Sequence, residues 1–248
     1  EGAQSHAIYW NDQCSPTIKN STIINYSGYV FNGGDLANSA IINFQKASLL
    51  DSNSAIIFNQ LAKCYIEKKD TIQAKIYFKK VLKKSNYSIE YSDDVLNFYE
   101  NTSEENQSRV ILDSLISHNP SNIDLRFKKI KYDYFDKSYE ELLYGYKEIF
   151  YLNPDDTEII PKMVEIGLTL GMDQYLENLI IGIIKDFPKL TQPYLALAGV
   201  KIGNENYIDG ILAIEKAYKI SKDENLIKNL LNLSKNISYE KLYHKYLN

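Results

Sequence analysis

The stretch Leu61–Asn86, "LAKCYIEKKDTIQAKIYFKKVLKKSN", decides how the whole chain is read. Phe58, Leu61, Ala62 and Tyr65 recur at the separations that put side chains on one face of a helix. Ala74, Phe78 and Val81 do the same further on. Between the two stripes, Lys68-Lys69-Asp70 breaks the pattern, and Asp70 stands three residues before Gln73, the spacing of a capping box. The stretch predicts two short helices joined by a tight turn.

The same skeleton recurs. Steps of 34 from Ala40 reach Ala74, Ser108, Leu142, Leu176 and Gly210. Four places on lie Phe44, Phe78, Leu112, Tyr146, Ile180 and Ile214, and three further Ala47, Val81, Leu115, Ile149, Ile183 and Ala217. Twelve places before the first series lie Gly28, Ala62, Leu96, Ile130, Val164 and Ala198. No insertion interrupts the phase, so six units are read: 21–54, 55–88, 89–122, 123–156, 157–190 and 191–224. Pro120, Pro154 and Pro188 fall at unit ends, where they block helix continuation. Pro161 and Pro193 fall in first turns, where the missing N–H had no partner anyway. Thr102 with Glu105 and Ser138 with Glu141 repeat the capping-box spacing. A helix of about 13 residues is marginal alone in water. Stacking the next pair buries the face that one pair leaves open, so such units are stable only in an array.

This pattern resembles the tetratricopeptide repeat (TPR), with a small residue at the eighth place, Ala at the twentieth, an aromatic at the twenty-fourth, Ala at the twenty-seventh and Pro at the thirty-second. The second unit matches best, through Phe58, Leu61, Ala62, Tyr65, Ala74 and Phe78. The resemblance covers residues 21–224. It implies an all-α fold, an α-solenoid of stacked antiparallel helix pairs with six TPR-like repeats in a right-handed superhelix. Departures are Leu96, Ile130 and Val164 at the eighth place and Leu142 and Leu176 at the twentieth, whose bulk should hold paired helices further apart. Asp133 and Lys201 replace the aromatic of the eleventh place.

Residues 225–236 continue the phase of a first helix, and with 238–248 they read as a C-terminal capping helix pair. Residues 1–20 form an N-terminal extension or capping helix; the helix is favoured, with Trp10 packing inward. The chain begins at Glu1 and not Met, so an N-terminal segment was removed by processing or the stretch was trimmed. The small residues of "EGAQSHA" read toward an exported or periplasmic protein, with the cytoplasm as the alternative. Cys14 and Cys64 permit at most one disulfide, and Cys64 falls on a core-facing place.

Net charge of -4 lacks the positive field of a nucleic-acid binder, and nucleic acid is not expected as a partner. No apolar run approaches the ~20 residues of a transmembrane segment. The three histidines, His6, His118 and His244, lie in different parts of the chain, and no Ser/His/Asp grouping follows from the repeats. No clustered metal ligands, catalytic residues or cofactor motif are read, so neither enzyme activity, metal nor cofactor is expected. The pairs Asp93–Asp94, Glu104–Glu105 and Asp155–Asp156 read as first-turn acids favoured by the helix dipole. Lys75, Lys79, Lys80, Lys83 and Lys84 read as a solvated basic face.

In the resembled family the first helices line the concave surface, and the second, fifth, ninth and twelfth places face it. Carried over, the fifth places are Asn25, Asn59, Asp93 and Phe127, the ninth Tyr29, Lys63, Asn97 and Lys131, and the twelfth include Glu100 and Tyr134. Side-chain amides can bond both N–H and C=O of an extended peptide. Tyr and Phe add contact area at small entropy cost. A peptide or protein partner is the expectation, with oligomeric state left open. Lys63 and Lys131 match part of the family's two-carboxylate clamp, but Arg126 is off that face, so chaperone C-termini are not implied. The alternative is a structural or accessory subunit of a larger envelope or secretion assembly, docking through its convex face or termini.

Overall fold

The computed structural model describes residues 7–10, 16–19 and 34–236, which carry twelve α-helices and one β-hairpin. The chain divides into two units, Glu1–Pro120 and Ser121–Asn248. The first holds β1 (Ala7–Trp10), β2 (Pro16–Lys19), α1 (Gly34–Leu50), α2 (Ala55–Glu67), α3 (Thr71–Lys84), α4 (Ser92–Asn101) and α5 (Glu105–His118). The second holds α6 (Ile123–Phe135), α7 (Tyr139–Leu152), α8 (Ile159–Thr169), α9 (Asp173–Asp186), α10 (Thr191–Gly203), α11 (Tyr207–Ser221) and α12 (Glu224–Asn236). From α2 to α11 the helices come in pairs, a first helix and a second joined by a short turn, which makes each pair antiparallel. Expected helices over 21–33 and 238–248 lie outside the described residues.

The N-terminal segment departs from the expected helix. β1 and β2 pair antiparallel, with Ala7 opposite Lys19 and Trp10 opposite Pro16. "AIYW" is β-branched and aromatic, a composition that favours strand. Pro16 opens its strand, a position that needs no donor. The packing of Trp10 concerns a side chain outside those described.

One turn geometry closes every first helix from α2 to α10. Lys69, Ser103, Lys137, Gly171 and Glu205 have φ of 59°, 57°, 59°, 68° and 60°, in the left-handed region. The next residue's N–H reaches back to the carbonyl five places earlier: Asp70 to Tyr65, Glu104 to Tyr99, Ser138 to Asp133, Met172 to Gly167 and Asn206 to Lys201, at 2.8–3.0 Å. This is the Schellman arrangement, which satisfies carbonyls that a helix end leaves open. The five residues stand 34 apart, yet Gly171 is the one glycine among them. Asn86 and Tyr87, with φ of 52° and 57°, end α3 in the same way and delay α4 behind a 3₁₀ turn at Ile89–Tyr91.

The caps follow from these turns. Asp70 Oδ1 accepts the Gln73 N–H at 3.0 Å, as its spacing suggests. Thr102 instead ends α4, its hydroxyl donating to the Phe98 carbonyl at 3.0 Å, because the left-handed Ser103 puts Glu104 at the start of α5. Ser138 precedes α7 without a side-chain cap bond.

Small residues let the pairs close. Ala62 and Ala74 are fully buried between α2 and α3 beside Leu61, Cys64, Phe78 and Val81. The ring of Phe78 lies 5.0 Å from that of Phe98, joining α3 to α4. In the second unit, two of the bulky residues expected to spread the paired helices meet a glycine opposite: a Cβ on Gly145 would lie 2.8 Å from Ile130 and one on Gly167 2.8 Å from Leu176. Likewise a Cβ on Gly210 would lie 2.6 Å from Ile202. Lys201, in place of an aromatic, bridges to Glu177 at 2.7 Å and fastens α10 to α9. Asp133 is buried. No helix among the described residues is long and apolar enough to cross a membrane.

Candidate functional site

The nine expected binding residues fall into three groups. Asn25 and Tyr29 lie outside the described residues. Asn59, Lys63, Asp93 and Asn97 belong to the first unit, on α2 and α4. Phe127, Lys131 and Tyr134 belong to the second, on α6.

On α2, Asn59 and Lys63 stand four residues apart, one turn of helix. Both reach the same atom, Asp94 Oδ2 on α4: the Asn59 amide donates at 2.7 Å and the Lys63 ammonium lies at 2.6 Å. Asn59 is 5% exposed, so its amide is used inside the fold and is not offered to a peptide, a correction to its expected role. The cause is the approach of α4, which carries Asp94 over α2. Asn59 Oδ1 is buried without a donor. Lys63 keeps 42% of its side chain exposed. Asp93 and Asn97, one turn apart on α4, are exposed. Asp94 was missed because its neighbour Asp93 holds the fifth place; its i to i+35 relation to Asn59 is the signal that could have found it.

On α6 the arrangement is different. Leu125 and Ile130 face the core, while Phe127, Lys131 and Tyr134 are exposed at spacings of four and three, in line on one face. Phe127 is held edge-on to Tyr146 at 6.4 Å, and Tyr134 edge-on to Phe135 at 6.0 Å. Arg126, off this face, pairs with Glu148 on α7 at 2.8 Å.

Other polar candidates are engaged in the fold. His118 stacks on Tyr87 at 4.4 Å, and its Nδ1 lies 2.8 Å from the Ser114 carbonyl oxygen. Lys75 pairs with Glu104, Lys80 lies 4.7 Å over Tyr77, and Lys84 donates to Asn53 at 2.6 Å. Burial pushes the Cys64 thiol up to about 12, away from the reactive thiolate. Among the described residues no group of three or more His, Cys, Asp or Glu could hold a metal ion.

No protein-family model matches the chain, and no curated protein does. Among solved structures it is similar to YrrB, described as a TPR protein with an unusual peptide-binding site, at 17% identity over 77% of this chain and 97% of that one, with a TM-score of 0.40. The C-terminal part of a TPR repeat-containing protein from Cytophaga hutchinsonii is 14% identical over 84% of this chain and 83% of that one, with a TM-score of 0.40. MamA from Desulfovibrio magneticus RS-1, residues 41 to the end, is 11% identical over 64% of this chain and 90% of that one, with a TM-score of 0.38. In its paired helices and 34-spaced turns the chain is TPR-like, and those features are read from its own residues.

Proposed function

We propose that the chain is a non-catalytic scaffold that holds a peptide or protein segment on the exposed faces of its first helices, with residues 21–54, 55–88, 89–122, 123–156, 157–190 and 191–224 as its repeating units. The observation that carries this reading is α6, where Phe127 is 38% and Tyr134 53% exposed on the face they share with Lys131. Covering the part of each ring still exposed contributes about 0.5–1.5 kcal/mol, a gain available to a partner. The matching face of the first unit is polar, through Lys63, Asp93 and Asn97, and suits the backbone of an extended segment. Asn25 and Tyr29 belong to the same proposed face. Replacing Phe127 and Tyr134 together by Ala is expected to weaken the hold on a purified partner ten-fold or more, with circular dichroism unchanged. Unaltered affinity removes α6 from the binding face.

A second reading, a structural or accessory subunit of a larger assembly docked through its convex face or termini, has its own support on the second helices. In the first unit Ile42, Ile76 and Val110 stand 34 apart on α1, α3 and α5 and are 52%, 42% and 60% exposed. In the second, Tyr144 on α7 and Leu212 on α11 are 48% and 46% exposed. If this surface docks, Ile76→Asp with Val110→Asp releases the chain from the assembly in sedimentation and leaves the first-helix partner bound.

A further inference from the structure

Within the second unit, α8 and α10 border a groove of about 350 Å³. Pro161 and Leu195 hold there the repeat place that Phe127 holds on α6, and Glu165 and Gly199 the place of Lys131. The lining is mostly apolar, with Val164, Leu195, Ala196 and Gly199 prominent and Gln192 and Glu165 as polar members.

Two observations meet in this groove. The first is Gly199, in the interior of α10. Glycine weakens a helix, and its use there calls for a close approach or a left-handed φ. Gly145, Gly167 and Gly210 each have such a close approach, whereas a Cβ on Gly199 would meet nothing within 4 Å. Gly199 makes no such close approach, and the space beside it in the groove is open. The second is Glu165, exposed at the groove, whose carboxylate makes no ion pair among the described residues. The neighbouring Lys162 is engaged by Glu158 at 3.0 Å.

We propose that this groove binds an extended peptide segment through a leucine- or isoleucine-sized side chain followed by a lysine or arginine. The aliphatic group lies against Val164, Leu195 and Ala196 in the space Gly199 leaves. The cation pairs with Glu165. The proposal rests on the peptide-scaffold reading above and names the ligand chemistry of one part of it. Apolar walls with one carboxylate suit this occupant and repel a phosphate backbone.

The test uses the full chain, labelled with ¹⁵N and titrated to millimolar concentration with three peptides: Ser-Gly-Leu-Lys-Leu-Gly-Ser, its Leu-Glu-Leu counterpart and its Ser-Lys-Ser counterpart. The Leu-Lys-Leu peptide is expected to shift amide resonances of residues 160–165 and 192–199, the Leu-Glu-Leu peptide to bind at least five-fold more weakly, and the Ser-Lys-Ser peptide to leave them unmoved. Gly199→Leu is expected to abolish the shifts while the melting temperature holds or rises, since the new side chain enters open space. Glu165→Gln is expected to erase the preference for Lys over Glu. Shifts that survive Gly199→Leu, shifts confined to α6, or no shift with any of the peptides overturn the groove proposal alone. The scaffold reading stands or falls separately with the Phe127 and Tyr134 variants.

Discussion

Ile130 fills the space that Gly145 leaves on the facing helix: a methyl group on Gly145 would come within 2.8 Å of Ile130 Cγ1. The absence of a side chain on Gly145 makes room for Ile130, and the two helices stay in contact. Gly145→Ala is expected to cost about 1–3 kcal/mol of stability by overpacking. Gly199→Ala, with nothing within 4 Å, is expected to stabilise by about 0.5–1 kcal/mol, the helix cost of glycine. Urea denaturation of the two variants checks the opposite signs.

The left-handed turns offer a second test. Lys69, Lys137 and Glu205 hold φ near 60° although they carry a Cβ. A left-handed conformation costs such a residue roughly 1–2 kcal/mol. Part of that is regained by the freer unfolded chain of glycine, so each Lys or Glu to Gly change is expected to stabilise by about 0.5–1 kcal/mol. Gly171→Ala is expected to destabilise by about 1 kcal/mol for the same reason. Thermal melts read both.

Asp94 is expected to matter more than either of its partners. Its Oδ2 accepts from Asn59, which is buried, and pairs with Lys63, which is 42% exposed. Asp94→Ala strands a buried amide donor and is expected to cost about 1–3 kcal/mol. Lys63→Ala removes an exposed pair and is expected to cost under about 1 kcal/mol. Asn59→Leu removes the stranded carbonyl together with the donor and is expected to cost less than Asp94→Ala. It should leave partner binding intact.

Stability is expected to fall in alkali. Burial pushes the Cys64 thiol from 9.0 up to about 12, and burial followed by Glu104 pushes the Tyr99 phenol from 10.0 up to about 12. Both groups are held neutral in the fold and ionise earlier when unfolded. Their contribution is therefore whole below about pH 9 and is lost as pH rises toward 12. Denaturation midpoints measured from pH 8 to 11 should drop, and Cys64→Ala with Tyr99→Phe should flatten the drop.

The helix pairs were legible because burial follows a period. Ala62, Ala74, Phe78 and Val81, picked out by spacing alone, are all fully buried. Turn chemistry was less legible: four of the five left-handed positions carry Lys, Ser or Glu, residues that do not announce a positive φ. The "AIYW" strand was missed because four residues cannot separate a short strand from a helix end by period. The candidate site was legible in part. Spacing along one helix placed Phe127, Lys131 and Tyr134 together on an exposed face. It could not show that Asp94 arrives from a neighbouring helix to engage Asn59, because that depends on how closely two helices pack. Gly199 carried no signal in the chain; its meaning comes from the empty space beside it.

The central claim is that partners are held on first helices. A photo-crosslinking amino acid placed singly at Asn97, Tyr134 and Leu195 on first helices, and at Ile76, Tyr144 and Leu212 on second helices, tests it in the living cell. Covalent adducts to a partner from the first set, with none from the second, are the expected result. Adducts from Ile76, Tyr144 or Leu212 with none from the first set would contradict it.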